Sequence, residues 1–198
     1  MKYRLSSLLL FGLMLAAAPA FAQGIIHDEA VAGDLSDSGT APMGFTLGTG
    51  VNTIQGSLGP STGGNGASNN TSDADFFTFT LGAGQTVTSI STTRTGTGAG
   101  SFLGYSNSAS IAGINSSLTG GSLFSNGALS GGISGGGVTL SAVPVPLGAG
   151  DHTFILQETG AAIDYSISFT VAQAVPEPSS AALLGGLALV GFIRRRRR

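Results

Sequence analysis

The sequence contains no cysteine and no tryptophan. Without cysteine, disulfide scaffolds, thiolate zinc sites, iron–sulfur clusters and cysteine nucleophiles are excluded. Charged residues make up only 9% of the 198 positions, against about 25% in an average soluble protein, which also excludes a coiled coil. Glycine is abundant instead, with 33 residues beside 7 prolines. The combined share of glycine and proline, about 20%, is below the roughly 25–30% that is typical of wholly disordered chains. We therefore expect one folded domain of about 150 residues.

Basic residues are nearly absent from the middle of the chain. Arg94 is the only one between Gln23 and Val175, and the other seven lie at the two ends. The same span holds nine acidic residues, so its formal charge is −8. Binding to nucleic acid requires cations that neutralise phosphates, and we therefore expect no nucleic acid among the partners of this protein.

Residues 1–22 have the three parts of a secretory signal peptide. A positive start with Lys2 and Arg4 precedes an apolar run and a small-x-small cleavage site formed by Ala20, Ala22 and Gln23. The apolar run is too short to cross a bilayer comfortably, which makes an uncleaved N-terminal anchor the weaker alternative. We expect signal peptidase to cleave before Gln23 and a domain spanning residues 23–174 to be exported.

Residues 175–198 form a second targeting segment. A proline-rich start is followed by an uncharged stretch from Ser179 to Ile193 and then by five arginines. As a helix, the stretch would reach about 22 Å, short of the roughly 30 Å hydrocarbon core, and long arginine side chains can make up part of the difference. Since positive flanks stay on the cytoplasmic side, both ends of the precursor are expected inside and residues 23–178 outside.

This C-terminal segment resembles the PEP-CTERM protein-sorting signal of Gram-negative bacteria. The resemblance is carried by Pro176, Glu177 and Pro178, by the apolar helix, and by the basic tail of Arg194, Arg195, Arg196, Arg197 and Arg198. It implies recognition of the tripeptide by an exosortase, a membrane-embedded cysteine transpeptidase-like enzyme that cuts near the motif and releases helix and tail. It also implies an association with extracellular polysaccharide and biofilm production. A simple tail anchor with a proline-rich start is the alternative.

The central domain has the period-two alternation of β-strands and no convincing helical period. The clearest strand is Ile163–Val171, in which apolar residues alternate with Asp, Ser and Thr. Further strands are predicted at Val51–Leu58, Phe77–Leu81, Thr86–Thr92 and His152–Gln157. We expect the strand at His152–Gln157 to pair with the strand at Ile163–Val171, because only a short turn separates them.

Short strands with glycine-rich turns predict an all-β fold, an antiparallel, jelly-roll-like β-sandwich flanked by the signal helix and the C-terminal apolar helix. The predicted core contains the aromatic residues Phe76, Phe77, Phe79, Phe154, Tyr165 and Phe169. Residues 95–137, rich in glycine and serine, are interpreted as an insertion of irregular strands joined by loops.

Two segments, Asn52–Leu58 and Asp73–Phe79, together with a repeated Leu-Gly-Ala-Gly at 81–84 and 147–150 and a closing strand pair, resemble pre-peptidase C-terminal (PPC) β-sandwich domains. The resemblance spans about residues 45–171 and implies a secreted module without catalytic activity.

Few residues suggest chemistry. Asp73 and Asp75 are the best metal candidates, because Ca²⁺ prefers several oxygen ligands; acids that merely end a loop before a strand are the alternative. Two G-x-S-x-G matches, at Ser61 and Ser134, lack the strand-to-helix context of a nucleophile elbow. His27, with its acidic neighbours Asp28 and Glu29, is expected in a flexible N-terminus, and His152 at a solvated or edge position.

These observations predict an exported cell-surface or extracellular-matrix protein with a structural or adhesive role, no catalysis and no cofactor. The expected partners are signal peptidase, an exosortase, transiently the inner membrane, and exopolysaccharide. A secreted carbohydrate- or calcium-binding β-sandwich module is the alternative.

Overall fold

The strands and a short helix were located in a computed structural model that describes residues 24–59, 73–97, 101–113, 117–123, 127–128, 133–135, 138–158 and 161–174. The helix is α1 (Glu29–Ala32). The strands are β1 (Ile25–Asp28), β2 (Met43–Phe45), β3 (Gly50–Leu58), β4 (Ala74–Leu81), β5 (Gln85–Gly96), β6 (Phe102–Ser106), β7 (Gly120–Leu123), β8 (Gly127–Ala128), β9 (Ile133–Gly135), β10 (Val138–Leu140), β11 (Gly150–Gln157) and β12 (Ile163–Gln173).

The strands form two sheets of five strands that pack against each other, and a separate hairpin of β9 and β10. The strand order is β1-β3-β12-β5-β8 in the first sheet and β2-β4-β11-β6-β7 in the second. β1 runs parallel to β3 and β2 runs parallel to β4, whereas all other neighbours in the two sheets are antiparallel. Both sheets are therefore mixed, each with one parallel strand at its edge.

Without β1 and β2, the remaining strands have the order of a jelly roll, β3-β12-β5-β8 facing β4-β11-β6-β7. From β1 to β6 each strand lies in the sheet opposite to its predecessor. The prediction of an all-β, jelly-roll-like sandwich is thus confirmed, with the difference that β1 and β2 add parallel edges to sheets that were expected to be antiparallel throughout. The predicted pairing of His152–Gln157 with Ile163–Val171 is wrong, because β11 and β12 lie in opposite sheets.

The main core lies between the sheets and is built by strict alternation. Along β12, Ile163, Tyr165, Ile167, Phe169 and Val171 are all buried, while the residues between them are half-buried or exposed. Phe169 packs edge-on against Phe77, Phe79 and Phe154 of the other sheet, with ring centroids 5.1–5.9 Å apart. This geometry is favoured by the quadrupoles of aromatic rings. The predicted aromatic core is therefore confirmed.

A second, smaller core covers the outer face of the sheet that contains β4. Phe76 and Ile155 point away from the main core and pack with Ala74 and Ile111. The backbone holds this cover in place, since the Ile111 N–H donates to the Gly39 carbonyl at 2.7 Å. Phe76, predicted as a member of a single core, belongs to this second one.

The predicted strands at Val51–Leu58, Phe77–Leu81, Thr86–Thr92, His152–Gln157 and Ile163–Val171 all lie within strands of the structure. Gly84, with a φ of 79°, allows the turn that carries the chain from β4 in one sheet to β5 in the other. The predicted signal helix and C-terminal helix lie outside the described residues. Within the described ranges, no helix combines the length and the apolar composition that crossing a bilayer requires.

Candidate functional site

An acidic cavity of about 680 Å³ opens at one pole of the sandwich. Its wall includes Glu29 and Asp34 from the segment between β1 and β2, Asp73 just before β4, and Arg94 and Tyr165 from β5 and β12 of the first sheet. This pole is where β1 and β3 end and where β4 and β12 begin. β12 ends at the opposite pole, eight residues beyond Tyr165, a distance of roughly 26 Å along an extended strand.

Glu29 is held over the cavity by the short helix α1. Asp28 caps this helix by accepting a hydrogen bond from the Ala30 N–H at 3.0 Å. The Glu29 carboxylate then accepts hydrogen bonds from the Ser57 N–H at 2.7 Å and from the Tyr165 hydroxyl at 3.3 Å. These contacts attach the segment after β1 to β3 and β12.

Asp75 lies on the inner face of β4, the face that also carries Phe77, Phe79 and Leu81. The side chain has no exposed surface. Neither of its carboxylate oxygens makes a hydrogen bond of normal geometry, although the Tyr165 hydroxyl is near enough to favour the charged form. Among the described residues, His27 Nε2 is the other buried side-chain atom without such a bond. A buried carboxylate without hydrogen bonds is costly, so it requires an explanation.

The carboxylates of Glu29, Asp34 and Asp75 lie close together. One oxygen of each is within 4.8 Å of the corresponding oxygens of the other two. Asp34 also takes part in a second group with Asp37 and Asp73, within the same distance. Five carboxylates from two segments of the chain, residues 29–37 and 73–75, therefore meet at this pole, joined through Asp34.

Burial and the charges of neighbouring acids raise the pKa values of Asp75, Glu29 and Asp73. Burial, followed by the charges of Glu29, Asp73 and Asp34, raises the pKa of Asp75 to about 9, although the nearby Tyr165 hydroxyl opposes part of the rise. Burial also raises the pKa of Glu29, with a contribution from Asp34. The pKa of Asp73 is raised by burial and then by the charges of Asp34 and Asp37.

Arg94, the one basic residue among those described, lies at the side of the cavity. Its Nη1 atom is 2.9 Å from Ser101 Oγ and 4.0 Å from Glu158 Oε2. Ser101 in turn donates to Glu158, which is fully buried. The charge of Arg94 thus offsets that of the buried Glu158 carboxylate, which is not one of the five clustered acids.

The structure brings the two predicted metal candidates, Asp73 and Asp75, into one acidic group. Sequence reasoning missed the other three members, Glu29, Asp34 and Asp37. Four acids within ten residues, soon after the predicted cleavage site, were the available signal. No pattern in the sequence around these four acids indicated that their segment folds against the start of β4.

Both histidine predictions are wrong. His27 is 7% exposed in β1 and its ring contacts Phe45, so the segment with Asp28 and Glu29 is not a loose terminus. His152 is 5% exposed in β11, which has a neighbour on both sides. Its ring lies between the Tyr105 hydroxyl, 2.9 Å from Nδ1, and the Gly148 carbonyl, 2.8 Å from Nε2.

Ser134 lies within β9, opposite Thr139 of β10, and therefore in a hairpin and not at a strand-to-helix turn. Ser61 is outside the described residues. So are the predicted cleavage-site residues Ala20, Ala22 and Gln23, the motif Pro176, Glu177 and Pro178, and the arginines 194–198.

Residues 174–198 match the family model of the PEP-CTERM protein-sorting motif. The match bears out the resemblance of the C-terminal segment and does not extend into the sandwich. It implies export of the protein in a Gram-negative bacterium, with a membrane-anchored precursor that is processed by an exosortase. No curated protein and no solved structure matches the chain, so the resemblance to PPC domains stays a prediction.

Proposed function

We propose that this protein is a non-catalytic structural or adhesive component of the cell surface or extracellular matrix. On this proposal, signal peptidase removes residues 1–22, and an exosortase acting at Pro176, Glu177 and Pro178 removes the C-terminal helix and the arginines. The observation that carries the proposal is the position of the sorting motif directly after β12, the central strand of its sheet.

This connection suits a domain that bears load. β12 is paired with β3 on one side and with β5 on the other along nearly its whole length. A force applied through the C-terminal attachment acts along the strand, so the hydrogen bonds of both ladders, which lie perpendicular to it, share the load. An edge strand under the same force would distribute the load over a single ladder.

Processing is tested by mass spectrometry of the protein recovered outside its host cell. We expect a chain that lacks residues 1–22 and the five terminal arginines. In a host without exosortase, or with Pro176, Glu177 and Pro178 all replaced by alanine, the arginines should remain and the protein should stay with the membrane. Pro144→Ala, at an exposed proline far from the motif in sequence, should be processed normally. Arginines retained on the extracellular protein would contradict exosortase processing.

A secreted carbohydrate-binding module is the second candidate function, and the cavity at the pole away from the attachment favours it. Retention of the protein on the host's own exopolysaccharide distinguishes the two. Saturable retention that free polysaccharide competes away, and that variants of the cavity wall lose, would support the module. Absent or non-saturable retention, together with reduced aggregation of cells that lack the protein, would support the structural or adhesive role.

A further inference from the structure

We propose that Glu29, Asp34 and Asp75 bind a calcium ion at the pole of the sandwich opposite the end of β12. The proposal concerns a site within the domain and is independent of how the protein is sorted. Acidic residues that merely cluster on a surface would not support it, since such groups are common and solvated. The decisive feature is Asp75.

Asp75 has no exposed surface, and both of its oxygens lack hydrogen bonds of normal geometry. The surroundings of its carboxylate are not entirely apolar. One of its oxygens lies within 4.8 Å of oxygens of Glu29 and Asp34. A buried carboxylate directed at two further carboxylates is destabilising by repulsion and by desolvation together. A bound cation removes both costs, because it supplies the missing partner and neutralises the group.

The chemistry of the donors selects a hard divalent cation. The donors are carboxylate oxygens, and no cysteine exists in the chain, which disfavours soft metals. Ca²⁺ binds oxygens at about 2.3–2.6 Å, so two ligands on opposite sides of the ion are roughly 5 Å apart at most. The 4.8 Å limit on the three oxygens fits this distance. Mg²⁺, with shorter bonds and a preference for retained water, fits a mostly protein-made site less well.

The proposed ion would join parts of the fold that are distant in sequence. Glu29 and Asp34 belong to the segment after β1, and Asp75 belongs to β4 in the opposite sheet. Glu29 is also hydrogen-bonded to Tyr165 of β12. Asp37 and Asp73, which are grouped with Asp34, add negative charge around the site. Binding should therefore stabilise the folded protein in proportion to the logarithm of the free Ca²⁺ concentration.

The first test measures thermal unfolding of the full-length chain in mild detergent, first with a chelator and then across a Ca²⁺ titration. We expect the unfolding temperature to rise with Ca²⁺, and calorimetry to give a saturable heat. Asp75→Asn and Asp34→Asn should each weaken binding at least tenfold. Because Asp34 is exposed, its variant tests the site even if Asp75→Asn fails to fold. The matched control is Asp151→Asn, the same change at an exposed aspartate of β11 near the opposite pole, which should leave the response unchanged.

The second test locates the ion through tyrosine-sensitised luminescence of Tb³⁺, a Ca²⁺ substitute. In the described part of the chain the tyrosines are Tyr105 and Tyr165, and Tyr165 is bonded to Glu29. We expect Tyr165→Phe to abolish the sensitised emission and Tyr105→Phe to retain it, and Ca²⁺ to displace Tb³⁺. The proposal is overturned if wild-type protein shows neither heat nor a thermal shift, if Asp75→Asn and Asp34→Asn both bind normally, or if emission survives Tyr165→Phe. An equal response to Mg²⁺ at the same concentration would overturn the assignment to calcium.

Discussion

Asp75 and Leu156 stand directly opposite each other on β4 and β11. The next residues inward on the same face are Phe77 and Phe154, whose rings stack with centroids 5.4 Å apart. The carboxyl group of Asp75 thus occupies a position that belongs, by its register, to the apolar core between the sheets. The behaviour of the domain towards pH should follow from this placement.

In the presence of a chelator, we predict that the free energy of unfolding falls as the pH rises from about 4 to 9. The pKa of Asp75 is about 9 in the folded protein and near its ordinary value of 3.8 when unfolded, so the folded state holds the extra proton in this range. The stabilisation from this proton is therefore complete below the unfolded-state pKa of 3.8 and is lost as the pH rises towards the folded-state pKa of about 9. The loss is at most about 1.4 kcal/mol per pH unit for each proton. Urea denaturation at pH 5, 7 and 9 measures the slope.

Asp75→Asn is the control for this pH dependence, because an amide resembles the protonated carboxyl and does not ionise. Its stability should equal that of the wild type near pH 4 and exceed it increasingly towards pH 9. Glu29 and Asp73, whose pKa values are also raised, would leave a smaller residual slope. Parallel curves for variant and wild type would contradict the assignment to Asp75.

We predict that Gly39→Ala destabilises the protein by about 1–3 kcal/mol, as overpacking does in other cores. A methyl group at this position would meet the Ile111 carbonyl oxygen and, at 2.8 Å, the ring of Phe76. The loop that covers the second core would have to move. Gly44→Ala in β2, where nothing lies within 4 Å, is the matched control and should change stability by less than about 0.5 kcal/mol. Chemical denaturation of both variants measures the difference.

Phe169→Ala should cost about 3–5 kcal/mol, a large part of the stability of a typical domain. The ring is fully buried and contacts three phenyl rings of the facing sheet. Val51→Ala on the neighbouring strand β3 removes a side chain that is 44% exposed and should cost less than about 1 kcal/mol. Similar losses from the two variants, measured by calorimetry, would argue against the aromatic cluster as the centre of the core.

Tyr105→Phe should destabilise the protein by about 1–3 kcal/mol, because it leaves the buried Nδ1 of His152 without a partner. The Gly148 carbonyl can only accept, so the network assigns the proton of a neutral His152 ring to Nε2. Thr80→Val removes an exposed hydrogen bond to Asp151, which water can replace, and should have little effect. Nitrogen chemical shifts of the imidazole test the tautomer, and thermal unfolding tests the two variants.

The alternation of apolar and polar residues predicted the strands because a strand with one buried face carries that pattern in its own sequence. Ile163–Val171 is the clearest case, and these residues make up most of β12. Alternation could also have placed Asp75 in the core, since it shares a face with Phe77 and Phe79. The alternation does not, however, determine which strands pair with each other. β11 and β12 are close in sequence but lie in opposite sheets, because their partners are strands far away along the chain.

The candidate site was only half predictable for the same reason. Asp73 and Asp75 are conspicuous because they precede a run of phenylalanines at 76, 77 and 79. Glu29 and Asp34 meet them only because β1 adds to β3 as a parallel edge strand and directs the following segment to the pole where β4 begins. No local pattern encodes this parallel pairing, and the antiparallel prediction did not include it.

The order of the strands also has a consequence for the timing of translocation. β12 is last in the sequence, yet it separates β3 from β5, so their sheet cannot be completed until residue 173 has emerged. Such contacts between distant segments slow folding, so the chain stays unfolded for longer while it is exported. The residues that emerge next are those of the sorting motif. We therefore expect the domain to reach its native state only as its own C-terminal signal arrives at the membrane.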